Sequence, residues 1–288
     1  MSDYRFRLVN VFAESLFGGN PLCVFEDGRG LDDAQMQALA LQFNLSETTF
    51  ILPAAGATAQ VRIFTPNFEM AFAGHPTLGS AHIVRELFDA GDNVTLQMKA
   101  GIIPVRAYGN RWTLTAGAPS YRQCTLSKAD MAAMLNLESR DILDGARWVN
   151  TGSEQLIIPI ADAGAVARAQ AKPDLLAAVA SDMEGARSMV YIFAPNGSEN
   201  GNEKLLARFF FMKHGGIVED PGTGSATANL GGWIADRSSN NRSLPVEYTI
   251  DQGGNVGRPC RLGLRVDAER TIFVSGRVIE IGRGTVSI

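Results

Sequence analysis

The stretch Phe72-Ala73-Gly74-His75-Pro76-Thr77-Leu78-Gly79-Ser80-Ala81 decides the fold. It follows an apolar strand pattern at residues 61–64 and runs into an apolar helical pattern that stops near Gly91. Glycine, a histidine and a proline in its middle bring exposed amides, a titratable ring and a helix start together. Pro76 suits the first turn, where its missing N–H costs nothing. The same grammar returns as Val218-Glu219-Asp220-Pro221-Gly222-Thr223-Gly224-Ser225-Ala226. Both copies end in Gly-Ser-Ala, and Gly79 and Gly224 stand 145 residues apart, about half of 288. The spacing suggests two copies of one fold.

Other segments repeat in the same order. Leu8-Val9-Asn10 is echoed by Trp148-Val149-Asn150 at an offset of 140. Thr49-Phe50-Ile51-Leu52-Pro53 is echoed loosely by Tyr191-Ile192-Phe193-Ala194-Pro195 at 142, and Val61-Arg62-Ile63-Phe64 by Ala207-Arg208-Phe209-Phe210 at 146. Each half then reads as short strands around one helix that is apolar on most faces, at residues 76–88 and 225–234. Such a helix must be buried. Gly231 and Gly232 would weaken it in isolation, so a close strand approach is the expected reason for them. The expected architecture is α+β: two pseudo-symmetric domains, each a β-barrel-like sheet wrapped around a central helix, with both helix starts facing a cleft. The expected boundaries are 1–118, completed by the C-terminal strand at about 280–288, and 119–279. Asp32 and Asp33 cap an amphipathic helix through Met36, Leu39, Ala40 and Phe43. Residues 45–48 read as a polar connector.

Composition narrows the function. A hydrophobic content of 45% and a charged content of 19% fit an ordinary globular protein with a sizeable core. A net charge of −4 argues against nucleic acid or an acidic membrane as partner. With no apolar leader and no run of about 18 apolar residues, the expectation is cytoplasmic, with no membrane association. Cys23, Cys124 and Cys260 are far apart and form no CxxC pair, so they read as small buried hydrophobes.

The two glycine loops fail as nucleotide motifs. The first lacks the lysine that a phosphate loop places before Ser80, and the second has Thr227 where a dinucleotide fingerprint needs glycine. Two glycine-rich helix starts remain, at Gly74 and Gly224, whose amides can bind anions. Each carries a titratable neighbour, His75 in one and Asp220 in the other. His82 reads as packing and His214 as a solvated loop residue. Three histidines with no chelating pair give no metal site. Glu47 stands among Phe43, Leu45, Thr48, Thr49 and Phe50. A carboxyl near that much apolar surface tends toward a raised pKa, which suits an acid that must also act as a base. A strand-edge glutamate in water is the alternative. Glu69 and Glu219 read equally well as structural.

Taken together, Val9-Asn10-Val11-Phe12 with Gly19-Asn20-Pro21, Asn44-Leu45-Ser46-Glu47-Thr48, Phe64-Thr65-Pro66 and the two glycine blocks resemble the PhzF-like isomerases of phenazine biosynthesis. That family lies within the diaminopimelate-epimerase-like fold, and the resemblance runs along nearly the whole chain. It implies two barrels, each around a helix, and Glu47 as the general acid/base that moves a proton between substrate carbons. It also implies His75, Asp220 and Ser225 as groups that bind or orient substrate, and the amides near Gly74 and Gly224 as anion holders. It further implies no cofactor, a small carboxylate as substrate, and a homodimer. Related racemases place a cysteine in each loop. Here those positions offer His75 and Asp220, which argues against a two-cysteine racemase. The alternatives are an amino-acid or hydroxy-acid epimerase using the same cleft, and a non-catalytic binding or scaffold protein.

Overall fold

The structure, a computed structural model, describes residues 1–179, 188–199, 201–213, 216–241 and 244–288. His214 lies outside the described residues. The chain divides into two compact units, residues 1–115 with 275–288 and residues 116–274.

The first unit runs β1 (Asp3–Val11), β2 (Asn20–Phe25), α1 (Asp33–Phe43), β3 (Glu47–Leu52), β4 (Ala59–Phe64), β5 (Glu69–Met70), α2 (Gly74–Phe88), β6 (Asn93–Met98), β7 (Gly101–Tyr108) and β8 (Arg111–Thr115). The second runs β9 (Ser120–Gln123), α3 (Lys128–Leu135), β10 (Arg147–Asn150), β11 (Glu154–Pro159), α4 (Ala163–Arg168), α5 (Pro173–Val179), β12 (Met189–Glu199), β13 (Asn202–Lys213), β14 (Gly216–Asp220), α6 (Gly224–Asn241), β15 (Val246–Gln252) and β16 (Cys260–Val266). The last strand, β17 (Ile272–Ser287), begins in the second unit and ends in the first.

In the first unit β1 pairs antiparallel with β2, β2 parallel with β3, β3 antiparallel with β4, and β4 parallel with β6. Antiparallel β6–β7 and β7–β8 pairs follow, and β17 closes the ring against β8 and β1. The result is an eight-stranded closed barrel. Helix α2 fills it, packing against β1–β4 and β6–β8, and every residue from Gly74 to Ala81 is buried. Two coverings explain the strand sequences. Helix α1 covers the outside of β2 and β3, so Leu22, Cys23, Val24 and Phe25 are buried on both faces and read as a continuous apolar run. Phe25 stacks on Phe50 at 4.8 Å and meets Phe43 of α1 edge-on at 5.7 Å. Strands β6 and β8 lack that cover and alternate, with Val94, Leu96, Trp112 and Leu114 turned inward.

The second unit repeats the pairing order. β10–β11 is antiparallel, β11–β12 parallel, β12–β13 antiparallel, β13–β15 parallel and β15–β16 antiparallel. Helices α3, α4 and α5 take the place of α1, in an outer core of Leu135, Ile158, Val166, Leu176 and Ile192.

Glycines mark where each central helix meets its strands. A Cβ on Gly79 would lie 2.6 Å from Leu22 Cδ2 and 3.0 Å from Val11 Cγ2. Gly231 would meet Ile272 Cγ2 at 2.6 Å, and Gly232 would meet Val149 Cγ1 at 3.0 Å. This is the close approach expected from the sequence. Because Leu22 and Val11 are fully buried, Gly79→Val should lower the unfolding free energy by about 1–3 kcal/mol, measured by urea denaturation. Valine's small helix-propensity advantage over glycine does not offset this.

Pairing also corrects the alignment of the repeats. Phe64 pairs with Glu69 and Phe210 with Glu219, so Glu219 is the positional counterpart of Glu69, and Asp220 that of Met70. Gly74 and Gly224 each open their helix, whereas Gly79 lies in the second turn of α2. The counterpart of His75 is therefore Ser225, not Asp220. Other boundaries shift: α2 begins at Gly74, α6 runs on past Ile234, and Glu47 opens β3 instead of lying in a connector. Asp32 alone caps α1, in a capping box with Gln35. Cys23 and Cys260 are buried as expected, while Cys124 is only half-buried.

Candidate active site

The first unit brings two of the expected residues together. Glu47, the first residue of β3, lies beside Leu22 of the parallel strand β2. His75 is the second residue of α2. His75 Nε2 stands 3.2 Å from Glu47 Oε2, with side-chain exposures of 7% and 15%. Burial drives the imidazole pKa down to about 3, so the ring is neutral near pH 7 and the contact is not an ion pair. A neutral imidazole can donate Nε2–H to a carboxylate or, as the other tautomer, accept from a carboxylic acid. It therefore suits both protonation states of Glu47.

Neighbouring bonds fix this geometry. Ser80 Oγ donates to Thr49 Oγ1 at 2.9 Å, joining the second turn of α2 to β3 two residues beyond Glu47. Thr77 Oγ1 donates to the Ala73 carbonyl at 2.7 Å. Ala73 is the N-cap and has no side chain to offer the helix, so the Gly74 and His75 amides open α2 without a side-chain cap. Those amides and the helix dipole favour an anion. His82 accepts from Trp112 Nε1 at 3.3 Å, the packing role expected of it.

The buried ring has a consequence for acid stability. Unfolded His75 titrates near about 6.5, whereas the folded ring resists protonation down to about 3. Between those values the unfolded state binds the extra proton, so stability is present above the unfolded pKa and falls as pH drops. The contribution is about 1.4 kcal/mol per pH unit. Unfolding free energies from pH 7 to pH 4 should show this slope in the wild type and lose it in His75→Gln.

The second unit gathers Asp220, Gly224 and Ser225 at the start of α6. Thr223 Oγ1 donates to Asp220 Oδ2 at 2.5 Å. Ser225 Oγ accepts from Gln155 Nε2 at 2.9 Å, and Gln155 Oε1 accepts from Asn229 Nδ2 at 2.7 Å. Asn229 in turn accepts from the backbone and side chain of Thr151. Thr223, Gln155, Asn229 and Gln252 were not singled out in the sequence. The one available signal was polar residues ending or interrupting apolar elements.

Each unit also carries the same brace. Arg62 donates from Nε and an Nη to Glu69 at 2.8 and 2.7 Å, and Arg208 to Glu219 at 3.0 and 2.6 Å. Each guanidinium lies over the phenylalanine two residues on, at 5.0 Å for Phe64 and 4.7 Å for Phe210. Glu69 and Glu219 are thus structural. The Arg62 guanidinium holds the Glu69 carboxyl below the usual carboxylate range.

A duplicated strand order and a helix within a closed barrel define the class, the diaminopimelate-epimerase-like fold, which sets a half-buried carboxylate beside a buried imidazole at a helix start. Residues 9–284 match the PhzC-PhzF family of phenazine biosynthesis-like proteins. The chain belongs to that family and is an isomerase. An uncharacterized isomerase of Pasteurella multocida is 38% identical over 294 residues, covering 100% of this chain and 96% of that protein. A trans-2,3-dihydro-3-hydroxyanthranilate isomerase of Pseudomonas fluorescens is 30% identical over 291 residues, covering 98% and 99%. In fold, the chain is similar to a Bacillus anthracis phenazine biosynthesis protein of the PhzF family, with a TM-score of 0.88 over 100% of both chains at 24% identity. Among the described residues no helix is long and apolar enough to cross a membrane.

Proposed function

We propose that the chain is a cofactor-independent isomerase that moves a proton within a small carboxylated metabolite, with Glu47 as general acid/base. The observation that carries this reading is the Glu47–His75 pair, 3.2 Å apart and largely buried at an uncapped helix start. The Glu47 carboxylate takes a proton from a carbon next to an activated double bond or carbonyl. The electron pair moves into the conjugated system, and the carboxylic acid returns the proton to another carbon of the same molecule. His75, held neutral, stands close enough to donate to the carboxylate or, as the other tautomer, to accept from the acid. The substrate carboxylate rests on the amides near Gly74 or Gly224, a preference of about 0.3–2 kcal/mol. Asp220 and Ser225 orient the substrate's polar groups.

The relative from Pseudomonas fluorescens suggests trans-2,3-dihydro-3-hydroxyanthranilate as the first compound to try. Incubation in deuterated water, followed by proton NMR, should show migration of a double bond with solvent deuterium at the new position. Inversion of a stereocentre without migration would identify an epimerase instead, and no change would remove this substrate class.

A further inference from the structure

We infer that Thr223, oriented by Gln252, is a positioning residue that keeps Asp220 Oδ2 a hydrogen-bond acceptor at the start of α6. The inference rests on the functional reading above for the part that Asp220 plays.

Its basis is an accounting of hydrogens. Gln252 ends β15 and is 2% exposed. Its Oε1 accepts from the Thr223 backbone N–H at 3.3 Å, and its Nε2 donates to the Asp220 backbone carbonyl at 2.9 Å. A backbone N–H can only donate and a carbonyl can only accept, so the orientation of the amide is fixed. The remaining Nε2 hydrogen points to Thr223 Oγ1 at 3.0 Å. The Thr223 hydroxyl is thereby already an acceptor, and its single hydrogen goes to Asp220 Oδ2 at 2.5 Å. A proton on that oxygen would oppose the hydroxyl hydrogen. The arrangement holds only with Oδ2 bare.

A second contact fastens the same loop. Gly253 has φ +79°, and a Cβ there would lie 2.4 Å from the Pro221 carbonyl oxygen and 2.4 Å from that of Arg258. Only glycine allows the turn after Gln252 to press on the loop from Asp220 to Thr223. Thr223, 8% exposed, also accepts the first bond of α6 from the Thr227 N–H at 3.0 Å. Thr223 thus joins Asp220 and β15 through its hydroxyl, and the helix start through its backbone carbonyl.

The test is a pH titration by carbon-13 NMR of protein labelled at the aspartate side-chain carboxyls, with Asp220 assigned by comparison with Asp220→Asn. Wild-type Asp220 should remain ionised down to the acid-unfolding transition. Thr223→Ser, which keeps the hydroxyl, should behave alike. Thr223→Val should bind a proton about tenfold more tightly, a rise of about one pH unit, because a hydrogen bond to the charged form is lost. Gln252→Leu, which frees the hydroxyl to turn elsewhere, should shift in the same direction. Protonation of wild-type Asp220 above about pH 4, the ordinary aspartate range, would overturn the inference even if no variant folds. So would equal shifts in Thr223→Ser and Thr223→Val. The titration needs no substrate, so a failure to convert dihydrohydroxyanthranilate would remove the functional reading and leave the hydrogen-bond assignment to be judged separately.

Discussion

Glu47→Gln is expected to fold normally and to lose turnover by about 10²–10⁴-fold, the range that a positioned general acid/base contributes. The amide matches the carboxyl in size, so packing beside Leu22 and His75 is preserved. What disappears is the ability to accept a proton from carbon and return it. The neighbouring ring is a poor replacement. Burial holds the His75 pKa near 3, so the imidazole is a weak base in the one place where a substitute would have to act. Residual activity should come from the helix start, which still favours the developing negative charge. The measurement is the rate of deuterium transfer from solvent into trans-2,3-dihydro-3-hydroxyanthranilate, with thermal melting as the control for folding. Normal exchange in a folded Glu47→Gln protein would remove Glu47 from the chemistry.

Periodicity made much of the fold legible, and the site only partly so. The central helices were visible because a helix apolar on most faces has nowhere to go but inside a barrel, and the burial of residues 74–81 agrees. The exact correspondence of the two halves was not visible. Gly-Ser-Ala occurs in both, yet Gly79 is small because Leu22 and Val11 press on it, while Gly224 opens a helix. The same letters answer different steric demands, and strand register decides the true pairing of positions. Glu47 and His75 stood out because a carboxyl among apolar residues and a histidine on a glycine loop are chemically conspicuous. Gln252 and Thr223 did not. Their roles come from a contact across 29 residues of chain, which no local pattern carries. The brace arginines were equally silent, since Arg62 and Arg208 look like ordinary outward strand residues until their partners are known.

Arg208→Met is expected to produce one of the largest losses of stability available in the chain, about 3–5 kcal/mol. Arg208 and Glu219 have side-chain exposures of only 8% and 10%. Beyond its two bonds to Glu219, the guanidinium donates through one Nη to the carbonyls of Val166, Ala167 and Ala169, at 3.1, 3.1 and 2.6 Å. Those carbonyls end α4, where a helix has fewer intrahelical donors for its last acceptors. Methionine fills similar space but takes the Arg208 donor from a buried carboxylate and from the Ala169 carbonyl, while the Val166 carbonyl keeps the Ala169 N–H and the Ala167 carbonyl keeps Asn255 Nδ2. Arg62→Met should cost less. Arg62 is 18% exposed, and Glu69 keeps Lys99 at 2.5 Å, a lysine that is itself 58% exposed. The two single variants therefore compare braces with nearly the same pairing geometry and phenylalanine contact but different burial and different further partners. Adding Glu219→Leu to Arg208→Met separates the two costs. If the stranded carboxylate dominates, the double variant should be more stable than Arg208→Met; if the carbonyls of α4 dominate, it should not. Urea midpoints of the four proteins decide this, and an Arg208→Met no less stable than Arg62→Met would show that the deeper burial and carbonyl bonds of Arg208 do not strengthen its brace.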